Sequence, residues 1–244
     1  MRFEEYGKFT EAGDIRVEQE ELNMYITKVF GWTFLGIAVT AAIVVYFLWG
    51  IQNSPAVASF VLNASDYFLF IGIGQIVLVA VLSWNIERLA PAAAKLLYLL
   101  YSASMGLLFT WITISYGLQA IGTAFVLTAI SFGGMCIIGL TTKKDLTSFG
   151  NIMFIGLIGV LLGSIINMFL GSPMIDYLIT IGGLFVFLGI ALYRANSIKG
   201  LYYYGIQRRD DRLLSSLSIF AALGLYITFV NIMLSILRLM SRRR

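Results

Sequence analysis

Seven apolar runs, each near the length a helix needs to cross a bilayer, constrain this chain more than any other feature. They extend from Val29 to Gly50, Tyr67 to Ile86, Ala93 to Ser115, Ala120 to Leu140, Leu146 to Leu170, Met174 to Tyr193 and Leu213 to Leu239. A hydrocarbon core of about 30 Å is spanned by roughly 20 helical residues. The runs are too long and too uniformly apolar for the alternating strands of a membrane barrel. Without water the backbone must satisfy its own hydrogen bonds, so the expected fold is an all-α integral membrane bundle of seven transmembrane helices. Composition agrees. Of the 244 residues 59% are hydrophobic and 12% charged, with a mean hydropathy of +0.87. A soluble domain carries about a quarter charged residues. The three prolines, Pro55, Pro91 and Pro173, fall between runs, where they interrupt no helix.

The cations set an expected orientation. With the N-terminus in the cytoplasm, 13 Lys and Arg fall on inside segments: Arg2, Lys8, Arg16, Lys28, Arg88, Lys95, Lys143, Lys144, Arg194, Lys199, Arg208, Arg209 and Arg212. The outside loops 51–66, 116–119 and 171–173 carry none. Positive charge collects on the cytoplasmic side, so the N-terminus is placed inside. The basic end "RLMSRRR" falls outside if all seven runs cross and is an exception to that rule. Because the cations flank apolar runs, the net charge of +4 is read as membrane topology and not as a nucleic-acid surface.

Three segments follow: a cytoplasmic tail over 1–28, a membrane domain over 29–240 and a basic tail over 241–244. In the first, "DIRVEQEELNMYITKVF" offers Asp14 as a helix N-cap. Leu22, Tyr25, Ile26 and Val29 then recur at helical spacing, so a short helix should run into the first span. Small-residue pairs four apart, Ser102/Gly106, Ala129/Gly133 and Gly159/Gly163, are candidates for close helix contact. Cys136 reads as a small packing residue.

Chemistry is sparse. There is no histidine, and no Asp, Glu, Lys or Arg stands in the middle third of any run. No nucleophile–base pair, phosphate loop, metal spacing or cofactor motif is visible, so neither an enzyme nor a cofactor is expected. Uncharged polar groups remain: Gln75 in the second run, Asn151 and Asn167 in the fifth, Thr228 and Asn231 in the seventh. Each could hydrogen-bond a neighbouring helix or line a polar pathway.

Three stretches are similar to those of a known family. "TTKKDLTSFG" stands at the fourth-to-fifth turn, "GIALYRANSIKGLYYYG" closes the sixth run and "LGLYITFVNIMLSILRLM" fills the seventh. Together they resemble the Bax inhibitor-1 family, including its bacterial YccA-like branch, over roughly residues 22 to 240. The resemblance implies six helices around a central seventh, in a bacterial plasma (inner) membrane. It implies passive calcium leak gated by pH through two facing aspartates, helped by an acid in the second helix. It also implies association with a membrane quality-control protease of the FtsH type, as a non-conducting modulator or binding partner. Here the aspartate positions are Arg194 and Thr228, the latter three residues before Asn231, and the acid is Gln75. The residues expected to matter are therefore Gln75, Arg194, Thr228 and Asn231, with the dyad chemistry altered or lost. The expected partners are the lipid bilayer, calcium or other cations, and a membrane protease.

Overall fold

Each proline opens a helix. Pro55, Pro91 and Pro173 are the first residues of α2, α4 and α7, where the missing N–H costs no hydrogen bond. The computed structural model describes residues 3–64 and 68–241. Its helices are α1 (Phe3–Asn53), α2 (Pro55–Ala64), α3 (Phe68–Trp84), α4 (Pro91–Tyr116), α5 (Leu118–Thr141), α6 (Thr147–Leu170), α7 (Pro173–Gln207) and α8 (Asp211–Ser241). Among the described residues every regular element is helical.

Six helices are long and apolar enough to cross a membrane: α1 from Gln19 onward and α4 to α8. The 17 residues of α3 are apolar and shorter, about 25 Å at 1.5 Å per residue. Residues 55–64, expected in a loop, form α2. Its run "PAVASFVLNA" carries no glycine or charge to break it.

Two helices outrun their predicted ends. α1 extends unbroken from Phe3 through the first span, so Asp14 lies inside the helix and not at its cap. The lead-in packs as its spacing requires, with Leu22, Tyr25 and Val29 buried. Tyr25 meets Tyr202 at 5.4 Å between ring centres, and Tyr202 donates to Glu21 at 3.1 Å. α7 passes Arg194 without a break and ends at Gln207. Its polar stretch keeps a buried stripe, Ala191, Ala195, Ile198, Tyr202 and Gly205, at spacings of three and four. The final tail, 242–244, lies outside the described residues.

α8 is the most buried span and packs against α1, α4, α5 and α7. α3 packs chiefly on α4 and α6 on α7. The outer face of α6 is almost wholly apolar and exposed, including Ile155, Ile158, Leu162 and Phe169, as a lipid-facing helix requires. Of the three small-residue pairs, only Ser102/Gly106 sits at a close crossing, where Gly106 receives Ile43 of α1. Gly133 and Gly159 meet nothing within 4 Å, and Gly163 meets the Ile179 side chain. Cys136 is buried and free in the core.

The cation-rich turns gather at one end of the bundle. Lys28 reaches Ser215 (3.4 Å), Ser216 donates to Leu89 (3.2 Å), and Tyr204 hydrogen-bonds Glu87 (2.5 Å). The α3–α4 turn, the foot of α1 and the α7–α8 hairpin are thereby fastened together.

Candidate functional site

α7 carries Arg194 into the gap between α6 and α8. Its guanidinium carbon lies 6.0 Å from the Phe154 ring centre. On the other side it rests on Gly224 of α8, so closely that a side chain at 224 would overlap Nη1. Nε is buried and makes no hydrogen bond. Among the described residues no carboxylate pairs with the guanidinium. Arg194 is therefore turned toward α8, where it lines a cavity with Phe154 and Phe220.

Gly224 joins Arg194 to a second expected residue. Its carbonyl oxygen accepts a hydrogen bond from Thr228 Oγ1 at 2.8 Å, and Thr228 is buried. Asn231, one turn further along α8, donates from Nδ2 to the Ile227 carbonyl at 2.8 Å. Both polar groups thus bond within their own helix, where the carbonyl four residues back is always within reach. Gln75 stands apart from this group. Its amide nitrogen faces α4, 3.3 Å from Ser104 Oγ and 3.7 Å from Met105 Sδ. The fold links Arg194 and Thr228 through Gly224, leaves Asn231 a turn further along α8 and directs Gln75 to a different interface.

The α5–α6 turn docks beside this place. Asn196 Nδ2 points at the carbonyls of Gly139 (3.1 Å), Thr142 (3.4 Å) and Lys144 (3.5 Å), and Lys199 donates to the Leu140 carbonyl at 2.5 Å. These donors meet the carbonyls a helix C-terminus leaves unpaired. Asp145 accepts from both the backbone N–H (2.9 Å) and the hydroxyl (2.6 Å) of Thr147, and these bonds hold its carboxyl below the ordinary value. The "KKDL" turn is thus fastened at both ends. Among the described residues no cluster of three His, Cys, Asp or Glu could hold a metal ion.

Sequence reasoning missed a second buried polar centre. Thr40 Oγ1 lies 2.6 Å from Tyr226 OH, Tyr98 OH donates to the Trp32 carbonyl at 2.8 Å, and the rings of Tyr98 and Tyr101 stand edge-on to Tyr226. Thr40 and Tyr226 also line an apolar cavity of about 280 Å³ between α1, α4, α5 and α8, with Phe109, Phe125 and Met233. Tyrosines at helical spacing in an apolar run carry no sequence signal that separates a core from a cavity wall. Gly224 and Asn196 were missed as well, because their partners lie on other helices.

Comparison with known proteins places the chain. The family model described as "Inhibitor of apoptosis-promoting Bax1" matches residues 22–244. The inner membrane protein YbhL of Escherichia coli K12 is 35% identical over 237 residues, covering 97% of this chain and 99% of that protein. An uncharacterised protein of Borreliella burgdorferi is 30% identical over 234 residues, covering 95% and 98% of the two chains. One of Deinococcus radiodurans is 30% identical over 224 residues, covering 92% and 93%. With the family model running over nearly the whole chain and a relative at 35% identity end to end, this integral membrane protein belongs to the Bax inhibitor-1 family.

Proposed function

We propose that this chain is a passive ion-leak protein of the bacterial plasma membrane whose inner mouth excludes Ca²⁺ and is indifferent to pH. Seven crossings with the N-terminus in the cytoplasm go with this reading. α3 is the short crossing, and the gathered cationic turns form the cytoplasmic end. α8 is the central helix along which the pathway runs.

One observation carries the proposal: Arg194 enters the bundle at Gly224, one turn from Thr228, with no carboxylate beside it among the described residues. Arginine keeps its charge at any physiological pH, so it neither titrates nor ligates a divalent cation. Thr228 has no proton to lose there. Two carboxylates at these places would share protons and attract Ca²⁺ through oxygen, and neither is present.

Purified protein in liposomes loaded with either CaCl₂ or KCl tests it. The expected result is monovalent flux that is the same at about pH 6 and about pH 8, with Ca²⁺ at the protein-free level. Ca²⁺ flux that changes with pH would overturn the reading.

A second reading rests on α1. Its 51 helical residues, about 77 Å long, exceed any bilayer, so the mixed-charge N-terminal part projects as a handle for another protein. On this reading the chain is a non-conducting modulator of an FtsH-type protease. No flux of either salt, together with loss of protease co-purification on deleting residues 1–20, would favour it.

A further inference from the structure

Beside Arg194 the bundle has a step. α5 ends at Thr141 and α6 starts at Thr147, whereas α7 continues to Gln207 and α8 begins at Asp211. Asn196 is level with the α5–α6 turn, so α7 projects beyond that turn by 207 − 196 = 11 residues, about 16 Å. Two adjoining cavities of about 350 and 380 Å³ lie in the step, with Tyr193, Ser197 and Gly200 as their shared wall. The first holds Arg194 between Phe154, Leu201 and Phe220. The second is lined by Lys143, Lys144 and Lys199.

We propose that this recess binds a phosphate group, with Arg194 taking the phosphate oxygens and Lys143 and Lys144 adding charge from the α5–α6 turn. Three properties carry the proposal. Arg194 is a cation whose buried Nε has no partner, and a guanidinium fork matches phosphate in two-point geometry. The two cavities are lined by four cations, Arg194, Lys143, Lys144 and Lys199, against one acid, Asp145, so the net charge of the recess is positive. The recess also lies where a membrane-spanning pair of helices turns, which is the level of lipid phosphodiesters. The source is either such a headgroup, its chains beside Phe154 and Phe220, or phosphate from solution. The site goes beyond the conduction proposed above and does not depend on it.

The test uses the full chain in nanodiscs of neutral phosphatidylcholine, with and without phosphatidylglycerol. The neutral discs are separately titrated with inorganic phosphate against chloride at matched ionic strength. Thermal unfolding and native mass spectrometry are the readouts. The expected result is a midpoint several degrees higher with the phosphate-bearing ligand and an affinity about tenfold lower in Arg194→Gln. Response to phosphatidylglycerol alone identifies the lipid, and response to inorganic phosphate in neutral discs identifies the soluble ion. Lys143→Gln/Lys144→Gln, on the exposed turn, gives a partial loss and serves where Arg194→Gln fails to fold. No response to either ligand overturns the proposal, as does a response equal in wild type and both variants. Because binding is measured without flux, failure of the leak reading leaves this result intact.

Discussion

The guanidinium of Arg194 on α7 seats on Gly224 of α8, the residue whose carbonyl oxygen accepts the Thr228 hydroxyl 2.8 Å away. Only a residue without Cβ leaves room for it. Gly224→Ala should therefore displace Arg194 and cost about 1–3 kcal/mol, read as a lower unfolding midpoint in detergent. Combining it with Arg194→Ala should recover part of that loss, because the two changes share one contact. Strictly additive losses would contradict the seating.

Replacing both members of the pair should create what is missing. Arg194→Asp with Thr228→Asp puts one carboxylate on α7 and one on α8, two helices in contact, where a close pair raises one pKa and draws a divalent cation. Calcium-loaded liposomes should then show Ca²⁺ flux that differs between about pH 6 and about pH 8. A folded double variant as inert to Ca²⁺ as its parent would count against Arg194 as the barrier.

Gly139 packs α5 onto α7 so tightly that an added methyl would meet the Leu192 carbonyl, which is backbone and cannot rotate away. Gly139→Ala should cost about 1–3 kcal/mol. Gly133→Ala, with open space around it, should be neutral or slightly stabilising, since alanine favours helix over glycine. Thermal unfolding of the two variants side by side checks the contrast.

The hydroxyl contact between Thr40 and Tyr226 ties α1 to α8 in the core. Tyr226→Phe removes it with little change of shape and should cost about 1 kcal/mol, within the range of interhelical hydrogen bonds in membranes. Thr40 keeps an acceptor in the Gly36 or Ser102 carbonyl, which limits the loss.

Asp145 supplies a pH-dependent term outside the membrane. Its carboxyl is held below its ordinary value by two bonds from Thr147, so the folded state favours the charged form. The contribution is present at neutral pH, above the unfolded value, and disappears as pH falls through the lower folded value. Asp145→Ala should therefore lower the neutral-pH stability of the α5–α6 turn, followed by hydrogen exchange at Thr147. The difference from wild type should vanish in strong acid.

Much of the fold is legible in the sequence because a bilayer leaves few choices. Run length and apolarity place α3, α4, α5, α6 and α8 within a few residues, together with the end of α1 and the start of α7, and the prolines mark three helix starts. The end of α7 was not legible in the same way. "YRANSIKGLYYYG" reads as an interface by charge, yet Ala195, Ile198, Tyr202 and Gly205 share one helical stripe that meets α5 at Ala195, α1 at Tyr202 and α8 at Gly205. Hydropathy averages over all faces and hides such a stripe.

The sequence by itself determined the class, the family and the identity of the substituted residues. An arginine where an aspartate is expected is visible from the letters alone. Only the tertiary structure decided what that arginine does. At a predicted helix end, Arg194 could point away from the bundle or in toward a neighbouring helix, and its neighbours in sequence fit both. Gly224, on a helix that α7 meets only after folding, opens the inward path, while α7 stays helical past Tyr193 to Gln207 and keeps that side chain facing α8. The same packing turned Gln75 toward Ser104, away from Arg194 and Thr228, because the amide bonds wherever a neighbouring helix places a partner. Side-chain direction in a bundle depends on which helix lies opposite, and that is a property of the assembled fold.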